Sequence, residues 1–374
     1  MSGNDLARHA DRLARLRSVW PEVTSAEVRD ARPTAYRSAV IGALLLMLAV
    51  PTSWLSIWLF LDASFLSPGW LDSVRGLLMV VLPFGAICLG IAAVTLLLTP
   101  TGVRRAIALQ GFAREVGLRF ASDGPHVPPV GLYFAEGALA APADSRARLE
   151  AQRDHFSKSM FRSRYSLYMP TSGPRPRLQI AFAAYLGGKN SPRVPRANFR
   201  FLRLQLSRRL PHLVTVARRN GSTRAMLPGS TQLSLEGDFD RHFTLYVPPG
   251  YERDALELFT PDVMACLIDH GKNWDIEIVE DQLIVVSSRV GARADRSEVT
   301  ALLHFADLFG AEIGHQAATY SDPRAQRPRT QVAAGGRRLL RRSEGWIWAA
   351  VCGLAALCFA FPFVLMWFIE GSAP

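Results

Sequence analysis

The sequence predicts an α+β domain with a mainly antiparallel sheet, carried by three transmembrane α-helices. Three stretches hold no charged residue: Ala39–Leu61, Gly76–Thr99 and Gly345–Ile369, of 23, 24 and 25 residues. A helix rises about 1.5 Å per residue, so each can cross a hydrocarbon core roughly 30 Å thick. Between the second and third stretches, short alternating apolar runs bounded by Pro and Gly give way to amphipathic helical patterns. That order of strands and helices predicts the α+β class.

Residues 1–37 read as a basic amphipathic tail. Leu6, Ala10, Leu13, Leu16 and Trp20 recur at three- and four-residue intervals, between an N-cap at Asn4 and a stop at Pro21. Such a helix lies in a membrane interface or docks on this chain or a second copy. Residues 38–99 read as a two-helix transmembrane hairpin. Its first helix is too long and starts too late for a secretory leader, so it is expected to be retained. Pro51, Pro83 and Pro362 place a kink in each span. Small residues four apart, Ala86 with Gly90 and Ala349 with Gly353, would let spans two and three approach closely, and the spans offer a route to a homo-oligomer. No ionisable residue lies inside a span, which argues against an ion or proton path in this chain alone.

Arginine placement gives the orientation. Arg8, Arg12, Arg15, Arg17, Arg29, Arg32 and Arg37 precede the first span. Arg104, Arg105, Arg114 and Arg119 follow the second, and Arg337, Arg338, Arg341 and Arg342 precede the third. The loop between spans one and two carries only Arg75. Basic flanks stay in the cytoplasm, so the expected topology is multi-pass in the inner membrane, with N-terminus and large domain inside and C-terminus outside.

Residues 103–320 are the expected cytoplasmic α+β domain, divisible into a basic half, 103–230, and an acidic or mixed half, 231–320. Residues 321–344 read as a basic linker and 345–369 as the third span. Helices are expected over Arg104–Arg119 and Ala140–Phe156. Strands follow at Ser166–Met169, Leu178–Leu186, Phe199–Leu206, Leu213–Ala217 and Phe243–Val247. A helix is expected at Tyr251–Phe259. Thr260 and Pro261 then open a second helix that runs to His270 and stops at Gly271. Trp274–Val279 and Leu283–Ser287 read as a hairpin around Glu280-Asp281, and Arg296–Phe309 as a last amphipathic helix. Cys88, Cys352 and Cys358 fall in spans and Cys266 stands alone, which fits a reducing compartment and leaves no cysteine-only zinc site.

Charge is unevenly spread. His155–Leu235, 81 residues, contains 15 Lys and Arg and no acid. Glu236–Asp281 reverses this, with 12 acids against Arg241, Arg253 and Lys272. The two stretches either neutralise one another or leave a basic face for an anionic lipid surface or an acidic protein partner. Arg193, Arg196, Arg200, Arg203, Arg208, Arg209, Arg218 and Arg219 are the contact candidates. No nucleic-acid-binding signature accompanies them.

Glu236, Asp238, Asp240 and His242 are the metal candidates. On a strand, side chains alternate with period two, so all four would share a face and could hold a divalent cation. As a turn the same residues are solvated or ion-paired. Gly187-Gly188-Lys189-Asn190 lacks the remainder of a phosphate-binding loop, and no HExxH occurs. No cofactor is expected.

The run EGDFDRHFTLYVPPGYERDALELFTPDVMACLID, followed by DIEIVEDQLIVV, resembles a group of uncharacterised bacterial membrane-anchored proteins that share a domain of unknown function. The similarity covers about residues 235–286. It implies paired N-terminal spans and a cytoplasmic α+β domain, with no activity attached. The sequence therefore favours a non-enzymatic inner-membrane protein that binds or scaffolds. The alternatives are a membrane-tethered metal-dependent hydrolase using the Glu236–His242 cluster, and an accessory subunit of a larger membrane complex.

Overall fold

The computed structural model describes residues 3–61, 70–123, 131–134, 161–171, 176–185, 198–221, 227, 230–337 and 339. The third apolar stretch and the helix expected at Ala140–Phe156 lie outside them. The chain divides into two compact units. Unit one comprises Met1–Pro125, Arg164–Pro176 and Val290–Ala301; unit two comprises His126–Ser163, Arg177–Arg289 and Leu302–Pro374. The fold is α+β with a mainly antiparallel sheet.

Unit one starts with α1 (Gly3–Ser18), the expected tail helix. A second short helix, α2 (Ser25–Ala31), was not expected. Its signature is a capping box: the Thr24 hydroxyl accepts from the Glu27 amide while the Glu27 carboxylate accepts from the Thr24 amide. Trp20 lies on Phe112, ring centroids 4.9 Å apart, and seats the tail on α5 (Thr99–Glu115). The helices α3 (Thr34–Leu61) and α4 (Trp70–Leu97) pack as a pair. Among the described residues, two helical stretches, Thr34–Trp58 and Val81–Glu115, are long and apolar enough to cross a membrane.

Small residues make the α3–α4 contact. A Cβ on Gly42 would stand 2.8 Å from the Ala93 carbonyl oxygen and 2.9 Å from the Leu97 nitrogen. Ala49, Ala86 and Ala93 are buried. The expected approach of the second and third spans through Ala86 with Gly90 and Ala349 with Gly353 involves residues outside those described. The large side chains turn outward: Val40, Leu44, Met47, Trp54, Phe84 and Ile91 are 60–73% exposed. β1 (Arg119–Asp123) pairs antiparallel with β2 (Phe161–Tyr168) within this unit, Arg119 opposite Tyr168 and Asp123 opposite Arg164. Arg105 pairs with Asp295 at 2.6 Å and stacks over the Tyr165 ring.

Unit two is built on β3 (Leu178–Tyr185), β4 (Asn198–Ala217), β5 (Thr231–Leu233), β6 (Phe243–Val247) and β7 (Asp275–Ser287). All pairings are antiparallel: β4 takes β3, β6 and β7 as neighbours, and β5 adds to β6. One face carries Phe199, Phe201, Val214, Val216, Tyr246 and Ile284, covered by Leu132 and Tyr133. On the other, Leu204 presses on Gly310 of α9 (Asp295–Thr319), and Phe305 packs on Trp274.

Two corrections concern the long strands. The expected strands Phe199–Leu206 and Leu213–Ala217 are one strand of 20 residues. The expected hairpin Trp274–Ser287 is also one strand, of 13 residues. β4 and β7 pair along their lengths, and the register shifts between Gln205 and Leu210 and again between Leu210 and Leu213. Pro211 falls in that irregular stretch, where its missing N–H costs no ladder bond. Opposite it Glu280 adopts φ +53, so turn-type residues here make a bulge. The helices α7 (Glu252–Leu258) and α8 (Pro261–Cys266) follow β6, the second capped by Thr260 as expected and continued through Gly271 by a wider turn.

Candidate functional site

The predicted acidic cluster is not on a strand. Gly237 has φ +68 and turns the chain, and Phe239–His242 form a single helical turn, α6. Phe239 drives this: it is fully buried, stacked on Phe243 at 5.1 Å and edge-on to Phe259 at 6.0 Å. Asp240 accepts from the Ser234 hydroxyl and the Leu235 amide, and Asp238 pairs with Arg241 on the surface. The face that would have gathered Glu236, Asp238, Asp240 and His242 does not form. Among the described residues no three His, Cys, Asp or Glu side chains are placed to hold a metal ion.

The basic stretch is not one outward face either. β4 is a central strand of the sheet and is buried over most of its length, with Asn198, Gln205 and Ser207 exposed. Arg200 and Arg203 are buried, Arg203 opposite Gln179 on one side and Ile284 on the other. Arg208 is half-buried and donates to the Tyr320 carbonyl at 2.9 Å. Arg209 is half-buried, Arg219 donates to Asn273, and Arg218 is exposed. Arg193 and Arg196 lie outside the described residues.

Unit two instead contains two buried polar centres that sequence reasoning missed. In the first, the Leu339 amide donates to His212 Nδ1 at 3.1 Å, so Nε2 carries the proton and donates to Glu277 Oε1 at 2.7 Å. The Leu132 amide donates to the same oxygen at 2.7 Å. Among the described residues Glu277 Oε2 accepts no hydrogen bond, and it lies under Gly131, where a Cβ would come within 2.6 Å. His212 is 5% exposed and Glu277 0%. The pair resembles a general-base arrangement, but both ring nitrogens are occupied and the pair is closed to a substrate. What it does is hold two chain segments against β4 and β7.

The second centre is a clasp on the stretch expected to be a linker. Tyr251 donates to Asp322 Oδ2 at 2.9 Å, and Tyr320 donates to Asp254 Oδ1 at 2.9 Å. Arg324 reaches Asp254 at 3.0 Å, Asp322 at 3.3 Å and the Gly250 carbonyl at 2.6 Å, with its guanidinium 4.3 Å from the Tyr251 ring centroid. The Ala333 amide donates to Asp322 at 2.8 Å. A Cβ on Gly336 would overlap the Tyr251 ring. Tyr320–Gly336 is thus tied to unit two along its length.

The charges in this clasp shift one another. Burial pushes the Tyr251 phenol up to about 12, helped by the Asp322 carboxylate that accepts its proton. Burial and then Asp254 push Tyr320 up further. Burial opposes the charge of Asp322, but donors from Ala333, Arg324 and Tyr251 outweigh it and hold that carboxyl below its usual range. Hydrogen bonding to Asp254 raises Arg324 despite desolvation. A raised phenol stabilises the fold fully below about pH 10, its unfolded value, and that contribution is lost as pH rises through about 12. Tyr251→Phe is therefore expected to flatten the fall in stability between about pH 10 and 12. Urea unfolding of both proteins across that range checks it.

In unit one, four exposed arginines lie where α2 meets α3 and α5. Arg29 sits 5.6 Å from the Tyr36 ring centroid, and Arg104 donates to the Ser25 hydroxyl at 3.0 Å. Arg32 is the C-cap residue of α2 and Arg37 lies in the first turn of α3, both exposed. Among the described residues none of the four forms an ion pair, unlike Arg105 and Arg324.

No protein-family model matches the chain, and no curated protein does. Among solved structures, the crystal structure of the mycobacterial trehalose monomycolate transport factor A, TtfA, is similar at a TM-score of 0.33 and 9% identity, covering 55% of this chain and 93% of that one. A likeness at that score carries no argument about function.

Proposed function

We propose that this is an integral inner-membrane protein whose folded region acts at the cytoplasmic face by binding or scaffolding. Its partner on this reading is an anionic lipid surface or an acidic protein. The observation that carries the proposal is the inverted α3–α4 pair. Small residues face inward and large apolar ones outward, Met47 at 71% and Trp54 at 73% exposed. Roughly 25 cal/mol per Å2 opposes leaving such surface in water, whereas lipid accepts it. Arginines cluster at the end of the pair that carries the tail and α5, the end expected in the cytoplasm. The buried polar centres of unit two favour binding over catalysis, since each is closed by its own chain.

The full chain is expected to stay in the pellet when membranes are washed with alkaline carbonate. A cysteine placed at exposed Arg218, in an otherwise cysteine-free chain, should react with an impermeant maleimide only after the cells are opened. Release by carbonate would sink the membrane reading. Labelling of intact cells would reverse the topology.

A further inference from the structure

We infer that α2 and the arginines around it form a binding site for the phosphate group of an anionic phospholipid. The inference rests on the membrane reading above and adds a specific ligand to it. α2 packs against both α3 and α5, with Val28 fully buried beneath it. Its first turn meets Arg104 through Ser25, and its last turn places Arg29 over Tyr36, whose hydroxyl donates to the Ser25 carbonyl at 3.4 Å. Arg32 and Arg37 extend the group along the start of α3.

Depth follows from helix rise. Gly42 packs at the level of Ala93 and Leu97. Arg37 lies about 7 Å along α3 from Gly42, and Arg104 about 10 Å beyond Leu97, at 1.5 Å per residue. The headgroup layer adds roughly 5–7 Å on each side of the hydrocarbon core. Both guanidinium groups therefore fall at headgroup depth when the apolar stretches are centred in the bilayer. Tyr36 sits at the same level, where aromatic rings with a polar tip favour the interface.

Charge selects the ligand. α2 carries two carboxylates: Glu27 is used by the Thr24 amide, and Asp30, between Arg29 and Arg32 in sequence, is exposed. Among the described residues none of the four arginines forms an ion pair, and they outnumber the two carboxylates of α2 by four to two. Guanidinium groups bind phosphate oxygens with paired N–H donors, and among the described residues no hydrogen bond occupies the side chains of Arg32 and Arg37. A phosphodiester that carries net charge, as in phosphatidylglycerol, fits this set. A zwitterionic headgroup brings its own cation and fits less well.

The test uses the full chain in nanodiscs containing phosphatidylglycerol and phosphatidylcholine in equal amounts. After transfer to detergent, the lipid that remains bound is measured by mass spectrometry. The native chain is expected to retain phosphatidylglycerol preferentially. Arg37→Gln with Arg104→Gln should weaken that retention by about 30-fold, taking each arginine at its usual surface contribution. Lysine at both positions should restore most of it, and Arg218→Gln should change nothing. Equal retention of the two lipids by the native chain, or unchanged preference in the double glutamine variant, would overturn the site. A chain that stays in carbonate-washed membranes but shows no lipid preference loses only this inference. A chain that carbonate releases loses the membrane reading as well.

Discussion

Replacing Asp322 with alanine is expected to release the 320–337 segment from unit two and cost about 3–5 kcal/mol. Asp322 is fully buried and accepts from Tyr251, from the Ala333 amide and from both the backbone and the guanidinium of Arg324. Truncation leaves the Tyr251 hydroxyl and the Ala333 amide without an acceptor. Each buried orphan costs about 1–3 kcal/mol, more than the bond itself was worth net. Arg324 keeps Asp254 and the Gly250 carbonyl, so the loss is partial. Exchange of the Ala333 amide should accelerate roughly 100- to 4000-fold, by the factor of ten per 1.4 kcal/mol. Asp322→Asn keeps the shape and one acceptor and should cost less than half as much. Unchanged exchange at Ala333 in the alanine variant would show that the clasp does not hold this segment. The acid side has a definite sign. The carboxyl of Asp322 is held below its usual range, so its contribution is present above about pH 4 and fades only as pH falls through the lower folded value.

The clasp was hard to read because its parts are far apart in sequence. Asp254 and Asp322 are separated by 68 positions, and the segment that bears Asp322 is rich in Pro, Gly and Arg. That composition predicts a linker when each residue is judged by local preference. The missed signal is the company it keeps. Tyr320 and Asp322 precede the proline, and each found a buried partner in the turn and helix after β6. Composition reports what a segment cannot do alone; it is silent on what a neighbouring surface does for it.

Other expectations succeeded or failed by whether the signal was local. The absence of charge over Ala39–Leu61 and Gly76–Thr99, the Thr24-x-x-Glu27 box and the Thr260-Pro261 helix start are local, and their elements form. The box was legible and went unread. The break expected near Arg208 and the hairpin expected at Glu280-Asp281 were local turn signals overridden by β4–β7 pairing. Each is absorbed as a bulge opposite the other, which no single-strand pattern can show. The acidic cluster failed for a related reason: period two puts Glu236, Asp238, Asp240 and His242 together only if the backbone is extended, and burial of Phe239 bends it. Arginine is rarely buried, so the sequence points Arg200 and Arg203 to the surface. Both are buried in a strand paired along both edges, a placement that the pattern of a single strand does not reveal.

Replacing Gly42 with leucine is expected to force α3 and α4 apart and cost about 3 kcal/mol. The atoms in the way are the Ala93 carbonyl oxygen at 2.8 Å, the Leu97 nitrogen at 2.9 Å and the Leu96 Cβ at 3.0 Å from the new Cβ. None lies at the end of a flexible side chain, so no rotamer change relieves the overlap; one helix must move as a body. That movement breaks the contacts made by Ala49, Ala86 and Ala93, which are small enough to pack only at short range. In water, a larger apolar side chain would recover part of this by burial. Lipid tails are as apolar as leucine, so in a bilayer nothing is recovered. Gly90→Leu is the matched control, because it lies on α4 where a Cβ meets nothing within 4 Å. Thermal unfolding of the full chain in detergent should give a lower Tm for Gly42→Leu and a near-native one for Gly90→Leu. Equal melting of the two variants would mean that the close approach at Gly42 does not hold the pair. The charge-free character of the two stretches would then be a property of composition alone, with no bearing on how the helices meet.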